Sequence, residues 1–435
     1  MRISKLMKIA LTGLLVSSLA AISWAQPPKL KMTTDIPASI TTPDKVSTSI
    51  GTLKFFDGVP TDETVKTVYD NLDRMRGVEA FLAGLPAAST FALYDGPKAI
   101  GADRANKIQI WNKLMDSKTL LLTGNTSTLY SFTTLDLKTD GATVVELPPG
   151  MLGAIDDAWF RYVGDFGPAG QDKAKGGKYV VLPPDYKGTV PEGYFALKSP
   201  TYRNWIFLRA SIADGVDAAF KKVEASLRVY PLAKAGNPPK TEFVKATGKV
   251  INTIPANDFS FFNQLNEVVQ YEPIESLDPQ TRGLFASIGI VKDKPFNPDE
   301  RMKRILTDAV AIGNGTARAI TFYPRTPGNY IYGRDSGWIM AYADKNTSFM
   351  YDGAYNTEAA TWFYYNAIGV TPAMAVTRAG AGSDYGIIAT DTKKQALDGA
   401  KTYKIHLPKD VPVKAFWAVT IYDTQSRSQL QTDQP

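Results

Sequence analysis

The 435-residue chain contains no cysteine and a single histidine, His406. Without cysteine there is no disulfide, thiol nucleophile, thiolate metal site or redox pair. Burial of apolar surface must then hold the fold together. One histidine excludes multi-histidine zinc sites, two-histidine iron triads and HExxH proteases built from one chain. No Rossmann fingerprint or Gly-rich phosphate loop occurs, and Gly382-Ser383-Asp384 has the wrong spacing for a nucleophile elbow. Asp384, Asp391 and Asp398 supply oxygens without EF-hand spacing. Neither a metal site nor a cofactor is therefore expected. Charge excess is small as well. The formal +6 falls to +3 once Arg2, Lys5 and Lys8 are removed with a leader, so nothing points to nucleic acid or to a membrane surface.

That leader is the clearest N-terminal feature. A basic head precedes the apolar run Ile9–Ala21, which is too short to favour a bilayer span. Ser23-Trp24-Ala25 then places small residues where a signal peptidase reads, so residues 1–25 are expected to be a secretory signal cut before Gln26. The expected location is periplasmic or secreted, with no integral span after cleavage. The remaining length suggests two domains.

Residues 26–60 read as an extended Pro- and Thr-rich arm with one strand, Ile50–Phe56. Thr61 caps an expected helix that carries Val65, Val68, Tyr69, Leu72 and Met75 at helical spacing and stops at Gly84-Leu85-Pro86. A second helix is expected over Asp103–Met115. The stretch Leu120–Pro149 reads as a hairpin of Thr128–Leu137 and Ala142–Leu147, closed by Asp140-Gly141. Strands at Ala158–Val163, Lys178–Leu182, Tyr194–Leu197 and Asn204–Ala210 follow, separated by Gly/Pro turns, and argue for a sandwich or barrel. A helix over Asp214–Leu227 ends this half. Residues 232–257 look like a polar connection. Helices are expected at Phe259–Val269, Asp278–Ile288, Asn297–Ala311 and Asn356–Ile368, the third with Asn297 as cap, Pro298 in the first turn and Glu300 in the capping-box place. Strands resume at Ala373–Thr377, Gly386–Ala389, Thr402–Leu407 and Ala415–Tyr422, and Gln429–Pro435 is a polar tail expected to fray.

The fold class expected is thus α+β and mostly β: two β-sandwich or jelly-roll-like lobes with flanking helices. The divisions are 1–25 signal, 26–60 arm, 61–231 N-terminal helices plus β-rich domain, 232–300 connecting helical segment, and 301–435 C-terminal β-rich domain.

Asn125–Tyr130, Leu135-Asp136-Leu137, Val144–Pro148, Trp159–Asp165, Val180–Pro184 with Gly188 and Pro191-Glu192-Gly193, and Asn204–Arg209 together resemble the signature of the bacterial family called domain of unknown function 1254. Leu397-Asp398-Gly399, Tyr403–Pro408, Pro412, Phe416–Thr420 and Tyr422-Asp423 resemble its companion, domain of unknown function 1214. The resemblance implies an exported protein of two β-rich lobes with helices on the N-terminal side, often self-associated. It also implies a second lobe that continues past Pro435, so the C-terminal domain is expected to be truncated. It carries no settled chemistry.

Candidate site residues are Asn125, Thr128, Tyr130, Arg209, His406 and Trp417. Amide, hydroxyl and aromatic groups gather in Asn125–Tyr130, and Arg209, ending a strand with Trp205 and Phe207, suits an anion clamp or a structural ion pair. His406 is either a hydrogen-bonded structural histidine or a base. Asp156-Asp157 and Asp165 are available carboxylates, although neighbouring acids in turns are commonly solvated. The function expected is a binding or structural module for a small polar ligand such as a sugar, assembled as a homo-oligomer. The alternative is a periplasmic hydrolase using carboxylates or His406. Whether the protein is an enzyme stays open at this point.

Overall fold

The computed structural model describes residues 34–376, 384–407, 409–411, 413 and 416–433. The expected signal, residues 1–25, lies outside them. Contacts divide the chain into residues 1–66 and 67–435. In the first unit, β1 (Lys45–Thr48), β2 (Gly51–Phe56) and β3 (Val59–Pro60) form an antiparallel meander. Helix α1 (Asp62–Asp95) begins here, with Thr61 Oγ1 accepting from Thr64 N–H at 3.4 Å.

In the second unit α1 does not stop at Pro86 but runs through it. Pro86 removes one helical bond, yet Phe81, Leu85, Ala87 and Ala88 around it are essentially fully buried, and packing outweighs the break. The chain continues through β4 (Lys107–Ile110), β5 (Thr119–Leu120), β6 (Leu129–Asp136), α2 (Leu137–Asp140), β7 (Thr143–Leu147), β8 (Leu152–Asp157), β9 (Tyr162–Phe166), β10 (Gly177–Leu182), β11 (Tyr194–Lys198) and β12 (Arg203–Ala210). Then come α3 (Val216–Ser226), β13 (Arg228–Pro231), β14 (Glu242–Lys245), β15 (Ile251–Asn252), α4 (Ser260–Tyr271), α5 (Pro279–Ser287) and α6 (Glu300–Phe322). The hairpin β16 (Met350–Tyr351) and β17 (Ala354–Tyr355) precedes α7 (Thr357–Asn366) and the short α8 (Pro372–Ala375).

Two sheets dominate. One has the order β14-β4-β6-β12-β8-β9 and the other β11-β10-β7-β13. Side chains alternate along each strand. Ile206, Leu208 and Ala210 of β12, Leu129 and Leu135 of β6 and Ile155 of β8 share a core with Val145 and Leu147 of β7, Tyr179 and Val181 of β10 and Val229 of β13. The intervening residues, Trp205 and Phe207, Tyr130 and Phe132, and Ala154, point the other way into a second core. That core is completed by α1, α4, α5, α6 and α7. The architecture is α+β with several sheets and flanking helices, and helix (34%) exceeds strand (21%).

Several expectations shift. Residues 103–115 contain the short strand β4 rather than a helix, because Ile108 and Ile110 alternate into one core while Trp111 packs in the other. The Leu120–Pro149 stretch is not a hairpin. Asp136 accepts from Lys138 N–H and Thr139 N–H, caps α2, and sends β6 and β7 into different sheets. Residues 232–257 are not a bare connection, since β14 pairs in parallel with β4. Asp299, not Asn297, caps α6 through Met302 N–H at 2.7 Å, and the helix continues to Phe322. The strand expected from Ala373 begins as the helical turn α8, capped by Thr371; Thr377 lies outside the described residues. In the described part of 301–435, regular strands are limited to β16 and β17, with isolated bridges elsewhere. The chain end does not fray along its length. Arg427, Ser428 and Gln429 are buried, and Ser428 Oγ accepts from Leu121 N–H at 3.0 Å.

Among the described residues no helix is long and apolar enough to cross a membrane.

Candidate functional site

The face of the six-stranded sheet that looks toward the helices carries the polar residues of interest. Arg209 on β12 sits opposite Tyr130 on β6, and Asp165 on β9 sits opposite Ala154 on β8. Asp156 is two residues beyond Ala154, hence on the same face. The chain therefore places Tyr130, Arg209, Asp156 and Asp165 together by strand register alone.

Asn125 and Tyr130 are joined. Asn125 Nδ2 donates to Tyr130 Oη at 2.7 Å, while Asn125 Oδ1 accepts from Ser127 N–H at 3.0 Å and rigidifies the turn. Tyr130 is buried against Trp111 and Phe132, and burial pushes its phenol up to about 12. Thr128 is half-buried with its Oγ1 enclosed and unpartnered. The Arg209 guanidinium lies 5.2 Å from the Tyr130 ring centroid. Its Nη1 donates to Tyr385 Oη at 3.1 Å, its Nη2 points at Met374 Sδ at 3.6 Å, and its Nε is buried without a partner. Burial opposes the charge on Arg209, but the phenols of Tyr130, Tyr385 and Tyr422 outweigh it and hold its pKa above the ordinary value. Among the described residues no carboxylate pairs with this guanidinium.

A small cavity of about 10 Å³, room for about one water molecule, is lined by Leu152, Gly153, Asp165, Phe207, Arg209, Thr371, Ala373 and Met374. Thr371 Oγ1 donates to Asp165 Oδ1 at 2.6 Å. Asp156 is fully buried; its Oδ2 accepts from Val370 N–H at 2.8 Å and its Oδ1 has no partner. Desolvation raises the Asp156 pKa well above the carboxylate range, the Val370 bond works against that, and Asp157 and Asp165 add to it. Asp157, also fully buried, pairs with Arg161 at 2.6 Å. Neither Asp156 nor Asp157 is a solvated turn acid. A larger depression of about 500 Å³ lies along the exposed side of α6, at Lys303, Arg304, Thr307, Asp308 and Ala311. It is open surface on which no buried polar group converges.

The other two sequence candidates stand apart. Of the six candidates Arg209 alone lines the cavity; His406 and Trp417 are moreover exposed, and no described hydrogen bond joins them to Arg209, Tyr130 or Asn125. The structural-histidine reading of His406 thus has no bond behind it. Among the described residues a hydrolytic triad on His406 has neither a bonded nucleophile nor a bonded acid. Among the described residues no group of three or more His, Cys, Asp or Glu side chains could hold a metal ion. Sequence reasoning missed Thr371, Met374 and Tyr385, which come from a segment far along the chain and carry no local motif.

Residues 105–231 match the family model described as "Protein of unknown function (DUF1254)", and residues 382–435 match "Protein of unknown function (DUF1214)". No curated protein matches the chain. Among solved structures the chain is similar to the crystal structure of the VPA0106 protein from Vibrio parahaemolyticus, at 17% identity and a TM-score of 0.51, over 83% of this chain and 82% of that one. At that identity the likeness concerns the fold alone.

Proposed function

We propose that this is an exported binding module that holds a small polar ligand, such as a sugar or small organic acid, at Arg209 and Tyr130. One observation supports the reading: a guanidinium without an anionic partner, its Nε unpartnered, stands at the wall of a cavity. Arg209 is half-buried, and leaving its enclosed Nε unpartnered is costly, which a planar oxygen pair relieves. Tyr130 and Asn125 would add hydroxyl and amide partners beside aromatic surface, an arrangement that suits sugar faces. The cavity as it stands admits about one water, so a ligand enters only by displacing Met374. That side chain packs against the core but is flexible and makes only weak sulfur contacts to its polar neighbours, so it is the element of the lining most able to move. Export from the leader and assembly as a homo-oligomer belong to the same reading. Light scattering on the mature protein tests the assembly.

The experiment is a thermal-shift screen of the mature protein with sugars, organic acids and divalent metals, using chelator as control. Binding to the folded state alone raises the melting temperature by linkage. A rise confined to one ligand class supports the reading, and a flat response across the panel contradicts it.

A second reading, a hydrolase, is favoured by Asp156 and Asp165 sharing this sheet face, with burial raising the Asp156 pKa in the direction a proton donor needs. It requires turnover of a chromogenic glycoside or ester by the wild type that Asp156→Asn abolishes.

A further inference from the structure

We propose that Met374 is a methionine-oxidation site whose sulfoxide is better bonded than its thioether. Two donors converge on this one sulfur: Arg209 Nη2 at 3.6 Å and Tyr385 Oη at 3.9 Å. A thioether is a weak acceptor, so neither donor gains much from it. A sulfoxide oxygen is a strong one. The space for that oxygen is already present, because Met374 lines the cavity that has room for about one water. Met374 is also part-exposed rather than fully buried.

The contrast with other methionines sharpens the assignment. Met115 and Met151 are buried in the two apolar cores, where an added oxygen would find no donor. Met350 is 43% exposed and reports simple accessibility.

The oxidant is a peroxide. The sulfur lone pair attacks one peroxide oxygen, the S–O bond forms as the O–O bond breaks, and the departing hydroxide takes up a proton to leave as water. Sulfur loses two electrons and the peroxide gains them. A dithiol-dependent sulfoxide reductase reverses the step. This chemistry goes beyond ligand binding and does not depend on it.

The test treats the folded full chain with hydrogen peroxide, maps sulfoxides by peptide mass spectrometry, and compares melting before and after. Met374 is expected to oxidise together with Met350. On treatment the wild type is expected to end about 2 °C higher relative to Met374→Leu, the gain of a charge-assisted hydrogen bond. Tyr385→Phe, which deletes one donor and keeps the ring, is expected to halve that gain, and serves if Met374→Leu does not fold. Met374 remaining reduced while Met350 is fully oxidised overturns the proposal. So does a wild type that loses more stability on oxidation than Met374→Leu, or a gain that Tyr385→Phe leaves unchanged.

Discussion

Glu272 gives the sharpest stability prediction. It follows α4, is 1% exposed, and accepts Tyr202 N–H at 2.6 Å and Arg203 N–H at 3.1 Å, tying the start of β12 to the helix. Burial pushes its carboxyl from 4.5 to about 7, against the pull of those two N–H groups and of the Arg203 charge. The folded state therefore binds this proton more tightly than the unfolded chain. The stability it contributes is fully present below the unfolded value, is lost as pH rises from there through the folded value, and is level above it. At about 1.4 kcal/mol for each pH decade, the loss is about 3 kcal/mol. Glu272→Gln keeps the size and cannot ionise, so it removes this slope. Asp156, also raised by burial, is common to both proteins, whereas the Asp157 charge helps to raise Glu272, so its share belongs to the difference. Urea unfolding of both proteins at pH 4.5, 6 and 8, with slopes checked for equality, measures it. The variant should gain about 3 kcal/mol on the wild type between the first and last pH. Parallel pH curves, or a wild type that gains on the variant as pH rises, would refute the argument and mean that the N–H groups hold the charged form.

Two glycines in α6 should respond with opposite sign. A Cβ at Gly313 would stand 2.6 Å from Phe81 Cδ1, whereas one at Gly315 meets nothing within 4 Å. Gly313→Ala should cost about 1–3 kcal/mol by overpacking and Gly315→Ala should gain up to about 1 kcal/mol, read from denaturant midpoints. Ser428→Ala should cost about 1–3 kcal/mol, because it leaves the buried Leu121 N–H unpaired; local hydrogen exchange at Leu121 should rise with it. Asp156→Asn should leave the melting temperature at pH 7 unchanged or higher, since burial penalises the charged carboxylate and an amide oxygen can still accept from Val370 N–H.

Much of the architecture is legible where one local signal is strong. The apolar run of β12, the Asp278 cap of α5 and the Asn356 cap of α7 all stand close to where their residues point. Errors arise where two signals compete. Ile108 and Trp111 satisfy a helical spacing, but Ile110 breaks the tie only through its pairing with β14, a partner more than a hundred residues on. Asp140-Gly141 is a sound hairpin signal, but Asp136 caps a helical turn first. Pro86 is a helix stop that tertiary burial overrides. The site was half legible. Register brings Tyr130 and Arg209 together, and a hydrogen bond joins Asn125 to Tyr130. Thr371, Met374 and Tyr385 come to them only through long-range packing, and His406 and Trp417 do not come to them at all.

The central claim is that Arg209 and Tyr130 hold a ligand. Its most direct measurement is the same thermal-shift panel run on wild type and Arg209→Lys side by side. Lysine keeps the charge but not the bidentate fork. A melting rise is expected in the wild type for one class of sugar or organic acid, with its loss in Arg209→Lys. An equal rise in both proteins, or none in either, contradicts it.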